Sequence, residues 1–191
     1  MLADTVSTLF TPELFLLLTT LLAVGYERRE NRILRPLAAR IGVVVGAWAL
    51  AFVTYVVGAR RFATAVPGGD DFFAALGLIV AFSAIGLVWH RQHWGTLVPP
   101  YAALLVVTSL LHLAVVPLWD TSSHVIYAAV PAGVLVAADR RFAPLLFVPP
   151  LLVWSRIATG AHTVDEAVGG LVVAGVVLGG ALALGRLPGR R

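Results

Sequence analysis

Residues 41–58 read IGVVVGAWALAFVTYVVG, eighteen residues without a single charge. A helix crossing the hydrocarbon core of a bilayer needs about 20 such residues. Working outward, six further apolar runs stand beside Ile41–Gly58: Pro12–Tyr26, Phe72–Trp89, Leu97–Trp119, Val125–Ala138, Phe142–Trp154 and Ala167–Leu184. The second, third, fourth and seventh runs in chain order approach full spanning length. The first, fifth and sixth are short and span only with polar helix ends added. Pro131, Pro149 and Pro150 are expected to bend or break the short ones, which is tolerated where neighbouring helices re-satisfy the backbone. The expected fold is therefore all-α: a polytopic transmembrane helical bundle of about seven spans.

Composition agrees. Of 191 residues, 59% are hydrophobic and only 13% charged, with a mean hydropathy of +0.91. That leaves no room for a separate soluble domain, so residues 1–191 read as one integral membrane domain. No internal repeat or low-complexity linker interrupts it. The first residues lack a basic stretch ahead of an apolar one, so no cleaved signal peptide is expected. The absence of cysteine excludes disulfides and thiolate metal sites.

All 14 basic residues are arginines. Threading the seven runs alternately places Arg28, Arg29, Arg32, Arg35, Arg40, Arg91, Arg140, Arg141, Arg186, Arg190 and Arg191 on one face, and Arg60, Arg61 and Arg156 on the other. The positive-inside rule makes the first face cytoplasmic, with the N-terminus outside and the C-terminus inside. The pI near 10.3 thus belongs to short membrane loops, and no nucleic-acid partner is expected. Residues 26–40 read as a cytoplasmic anchor. Trp89, His90, His93 and Trp94 read as interfacial residues on the same side.

Two polar clusters fall on the outward face. The first is WSRIATGAHTVDEAVGG, residues 154–170, which sets Arg156, His162, Asp165 and Glu166 between apolar runs. Charged groups beside a bilayer are costly unless they serve something. If a helix starts near His162, Asp165 and Glu166 follow at three and four residues, on the same face. Either carboxylate then accepts the Nδ1 proton and leaves Nε2 free as nucleophile or base. Arg156 offers a planar fork to phosphate oxygens. The second cluster is Asp120-Thr121-Ser122-Ser123-His124. Helix-start amides with the Ser122 and Ser123 hydroxyls cradle an anion, and His124 is placed to protonate a leaving oxygen. Two histidines with divided roles and one anion clamp describe a phosphohydrolase that needs neither metal nor cofactor. Structural readings compete: Ser122 or Ser123 as a helix cap, Asp165 and Glu166 as partners of the helix dipole, and His112 as a hydrogen-bonded interior residue.

These residues resemble the type 2 phosphatidic acid phosphatase family, whose signatures are KxxxxxxRP, PSGH and SRxxxxxHxxxD. The third is matched by Ser155, Arg156, His162 and Glu166, with Glu where Asp is usual; Gly160 and Gly170 also fall where the family often has glycine. The second is matched in reduced form by Thr121-Ser122-Ser123-His124. The resemblance covers about residues 120–185, the expected catalytic half. It implies a six-helix core, here with an extra helix, and a lipid phosphate substrate. His162 is then the nucleophile forming a phosphohistidine, oriented by Glu166 or Asp165. His124 is the acid for the leaving group, and Arg156 and Ser122 are phosphate ligands. The spacing of the first signature occurs at Arg28, Arg35 and Pro36, across the membrane from the other two, so Arg60 and Arg61 are read as its substitutes.

The resulting expectation is a multi-pass plasma-membrane phosphatase with an outward site, acting on a lipid phosphate or diphosphate such as a polyprenyl diphosphate. Two alternatives stand beside it. One is a degenerate relative that binds lipid or partners without turnover. The other is a metal-dependent intramembrane hydrolase using Asp120, His124, His162 and Asp165, with His112 in reserve. The sequence assigns no oligomeric state.

Overall fold

The computed structural model describes residues 1–31, 37–62 and 69–187. Arg35 and Pro36 of the first-signature spacing lie outside the described residues. Eight α-helices are present among those described: α1 (Leu2–Leu9), α2 (Pro12–Asn31), α3 (Leu37–Phe62), α4 (Gly69–Gln92), α5 (Val98–Val115), α6 (Ser123–Ala138), α7 (Val148–Ala158) and α8 (Val164–Ala183). A 3₁₀ segment, Arg140–Phe147, leads into α7. In hydrocarbon every backbone N–H and C=O must be satisfied within the segment, so even these Val-rich runs are helical.

All seven apolar runs are helical, but they do not make seven full spans. Five segments are long and apolar enough to cross, counting Arg140–Ala158 as one, and a sixth is reached if α1 and α2, bent by 50° at their junction, act together. The fifth run, α6, has 16 residues, roughly 24 Å at about 1.5 Å per residue, against a core of about 30 Å. Pro131 lies inside α6 without ending it, and Pro149 and Pro150 sit in the first turn of α7, where a missing N–H does no harm. The chain is a multi-pass helical membrane protein.

The helices form two compact units, with the boundary inside α2. One comprises Met1–Thr19 and Leu118–Arg191, the other Thr20–Pro117. In the first, α6 is the central helix, packing against α7, α8 and the 3₁₀ segment, while α1 packs on α7. Phe15, Val125, Ala128, Val148 and Leu152 form a buried cluster, edged by Val6, Phe10, Leu145 and Val153. Lipid tails are as apolar as these side chains, so close packing rather than escape from water holds such helices together. Gly170 shows it: a Cβ there would lie 2.9 Å from the Ser122 carbonyl oxygen and 2.9 Å from Val125 Cβ. Any larger residue would push α8 away from the start of α6.

In the second unit α4 packs against α3 and α5. Here the structure corrects two expectations. Trp89 and Trp94 are 0% and 6% exposed, and Arg40 is 0% exposed, so none of the three is an interfacial anchor. They surround the buried Glu27. Its carboxylate accepts from Trp89 Nε1 at 2.8 Å and from the Leu97 and Val98 amides that open α5. Arg40 Nη2 donates to the Trp94 carbonyl at 2.7 Å, and its guanidinium lies 6.0 Å and 5.8 Å from the two indole centroids. The buried carboxylate is thus compensated by amides at a helix N-terminus and an indole N–H, with Arg40 within electrostatic reach while its Nε and Nη1 make no hydrogen bond. The same turn ends α4: Trp94 N–H donates to the Trp89 carbonyl and His93 N–H to that of His90, with His93 at φ +51°.

Candidate functional site

The site is assembled from the end of α7, the start of α8 and the start of α6, all in the unit containing Leu118 onward. The α7 end comes first because it sets the Arg156-to-His162 spacing. Gly160 N–H donates to the Ile157 carbonyl at 3.0 Å, and Ala161 N–H to that of Arg156 at 3.0 Å. This is a Schellman cap, closed by Gly160 at φ +68°, a conformation that favours glycine. His162 N–H joins at 3.2 Å on the same Arg156 carbonyl, and Thr159 Oγ1 reaches it at 3.2 Å. One carbonyl therefore holds the turn that carries His162.

The helix α8 starts near His162, just beyond it. Thr163 is its N-cap and Val164 its first residue, so His162 lies just outside the helix. Glu166, at the third helical position, accepts from the Thr163 N–H at 2.8 Å, the carboxylate half of a capping box. The same oxygen lies 3.5 Å from His162 Nδ1. That is within ion-pair reach but long for a hydrogen bond. Asp165 is exposed, and the groups bearing on its carboxylate are Thr163 and Trp119 rather than His162. With His162 outside the helix, the expected equivalence of the two carboxylates is lost. Glu166 is the one beside the histidine. The Thr163-Val164-Asp165-Glu166 pattern carried the cap signal in plain sequence.

The Glu166 carbonyl oxygen accepts from the Ser122 N–H at 3.2 Å, and this bond ties the start of α6 to that of α8. Ser122 holds the N-cap position at φ −64°, ψ 110°, yet its hydroxyl makes no capping bond. Ser122 therefore takes the expected N-cap position, but its side chain does not do the capping. Thr121 and Ser122 are buried, Ser123 and His124 partly so. Thr121 Oγ1, Ser122 Oγ, His124 Nδ1 and His162 Nδ1 are all buried atoms without a hydrogen-bond partner. Burial, then the charges of Arg156 and His162, push the His124 imidazole down to about 4. His124, Arg156 and His162 thus share one electrostatic neighbourhood.

The remaining expected residues stand elsewhere. Arg60 and Arg61 are exposed residues of the last turn of α3, in the other unit. His112 is buried on α5. The alternative metal set is not gathered: among the described residues no three His, Asp or Glu groups come close enough to hold an ion. Ser155, which the sequence marks only as part of the third signature, is buried and bonded to α1.

Comparison with protein-family models, with characterised proteins and with solved structures finds no match to this chain.

Proposed function

We propose that this protein is a membrane lipid phosphatase working through a phosphohistidine, as its resemblance to the type 2 phosphatidic acid phosphatases implies. The observation that carries the reading is the group of buried polar atoms without a hydrogen-bond partner at Thr121, Ser122 and His124, beside the His162–Glu166 pair. Each such atom costs about 1–3 kcal/mol when left unbonded, so their concentration in one place calls for a guest rich in acceptors and charge. A phosphate group meets that need. The α6 N-terminus, the Ser122 and Ser123 hydroxyls and Arg156 bind its oxygens.

The chemistry follows from the positions. His162 Nε2 attacks phosphorus while Glu166 faces Nδ1 and stabilises the imidazolium. The bond from phosphorus to the lipid oxygen breaks, and His124 gives that oxygen a proton. Water, giving a proton to the now neutral His124, then attacks the phosphorus, breaks its bond to Nε2, releases phosphate and restores both histidines. His124 is neutral in the empty site at neutral pH. A bound phosphate opposes the Arg156 charge and favours the imidazolium, so the acid is armed by its own substrate. We place this site on the outer face of the plasma membrane, where a polyprenyl diphosphate presents its head group. Acyl or prenyl tails hold the substrate among lipid and helices, at about 0.8 kcal/mol per buried methylene.

A second reading has an observation of its own. Glu166 Oε2 is already engaged by the Thr163 amide and stands 3.5 Å from His162, which favours a protein that binds lipid phosphate without turning it over.

Phosphate release from polyprenyl diphosphate and from phosphatidate, measured on detergent-purified protein with EDTA present, tests the first reading. Release that falls at least about 100-fold in His162→Ala is the expected result. Phosphate binding with no release from either lipid would move the assignment to the second.

A further inference from the structure

We infer that Ser155 is a positioning residue, through which the N-terminal helix α1 holds the Arg156–His162 turn in register; this rests on the phosphatase reading above. Ser155 immediately precedes Arg156 and is completely buried. Its hydroxyl donates to the Ala3 carbonyl at 2.7 Å and lies 2.6 Å from the Ser7 hydroxyl. Two bonds thus join this one side chain to successive turns on one face of α1. The Ser155 carbonyl in turn accepts from the Thr159 N–H at 3.0 Å and from Thr159 Oγ1 at 2.9 Å. The next carbonyl, that of Arg156, carries the Ala161 and His162 amides.

The chain of bonds runs unbroken from α1 to His162. Packing repeats the message. Val6 and Phe10, at the end of α1, edge the cluster containing Leu152, one turn before Arg156, and Val125, next to His124. The short first helix is therefore a brace beneath both halves of the site rather than a peripheral tail. A serine suits the job because a hydroxyl buried in an apolar helix interface must find partners, and α1 supplies two. Without α1 bonded there, α7 loses the contact that fixes its last turn, and both the guanidinium and the imidazole shift together.

The test uses the full chain in detergent and three variants: Ser155→Ala, Ser155→Thr and Ser7→Ala. Inorganic phosphate is the probe, read as a competitive inhibitor and by direct binding. In folded Ser155→Ala its affinity should fall roughly tenfold, the scale of a phosphate-holding group set slightly out of place. Ser155→Thr should restore it. Ser7→Ala, which leaves the Ala3 bond intact, should fall between. A second readout is independent of turnover: phenylglyoxal modification of Arg156, followed by mass spectrometry of its peptide. Its rate should rise in Ser155→Ala and stay at the wild-type level in Ser155→Thr. If wild-type protein neither binds nor releases phosphate, the phosphatase reading fails and the modification rate alone judges the brace. Unchanged phosphate affinity and modification rate in Ser155→Ala, or a threonine variant no better than alanine, would overturn it.

Discussion

His124 shows how much one residue's surroundings decide. On paper it is a histidine behind two serines. In the structure it is partly buried, within electrostatic reach of Arg156 and His162, and its imidazole is pushed down to about 4 from an ordinary value of 6.5, first by burial. The sign of the consequence is fixed. Above about 6.5 the imidazole is neutral folded or unfolded and contributes nothing to pH dependence. As pH falls from about 6.5 toward 4, the unfolded chain takes up the proton first, so the folded state loses stability across that window. His124→Asn removes the titration. Thermal unfolding at pH 7 and at pH 4.5 should show a smaller acid loss in the variant than in the wild type; parallel losses would mean that His124 is not held neutral.

At the scale of elements, helix ends organise this molecule. The α7 end is a glycine-closed cap that presents His162, and α8 begins with a capping box that brings Glu166 beside it. In the other unit the α4–α5 turn closes around Glu27, which bonds the Trp89 indole and the first amides of α5 while facing Arg40. Glu27→Ala strips three donors of their acceptor and leaves Arg40 buried without its counter-charge. The expected loss is at least about 3 kcal/mol, from about 1–3 kcal/mol for each buried donor left unsatisfied. A drop below about 1 kcal/mol in detergent unfolding would show that water replaces the carboxylate. Much of this was legible early: the glycine at 160, the Thr–Glu cap and the apolar runs are all local patterns. The Glu27 cluster was not, because Arg40 and Trp94 are 54 residues apart in sequence and residues rich in arginine and tryptophan near a helix end look interfacial until packing is seen.

For the whole molecule, the proposed orientation is open to a clean experiment because the chain contains no cysteine. Single cysteines at Asp120 and at Gln92 should label from opposite sides in intact cells. A membrane-impermeant maleimide should reach position 120 directly and position 92 only after permeabilisation. The reverse pattern would put the histidine cluster inside and remove an outer-leaflet substrate from the proposal.

The sequence by itself determined that the chain is helical and crosses a membrane several times, since an uncharged run of eighteen residues has few other stable states beside hydrocarbon. It also marked the two polar blocks at the ends of apolar runs, because spacing within a turn is a local property. Tertiary structure alone decided the rest: that α6 is a short central helix, that Glu166 and not Asp165 stands beside His162, that Ser122 leaves its own helix uncapped, and that Ser155 belongs to α1. Each of those depends on where a helix begins or on what packs against it. A hydrogen bond between residues 3 and 155 leaves no periodicity in the chain for a reader to find.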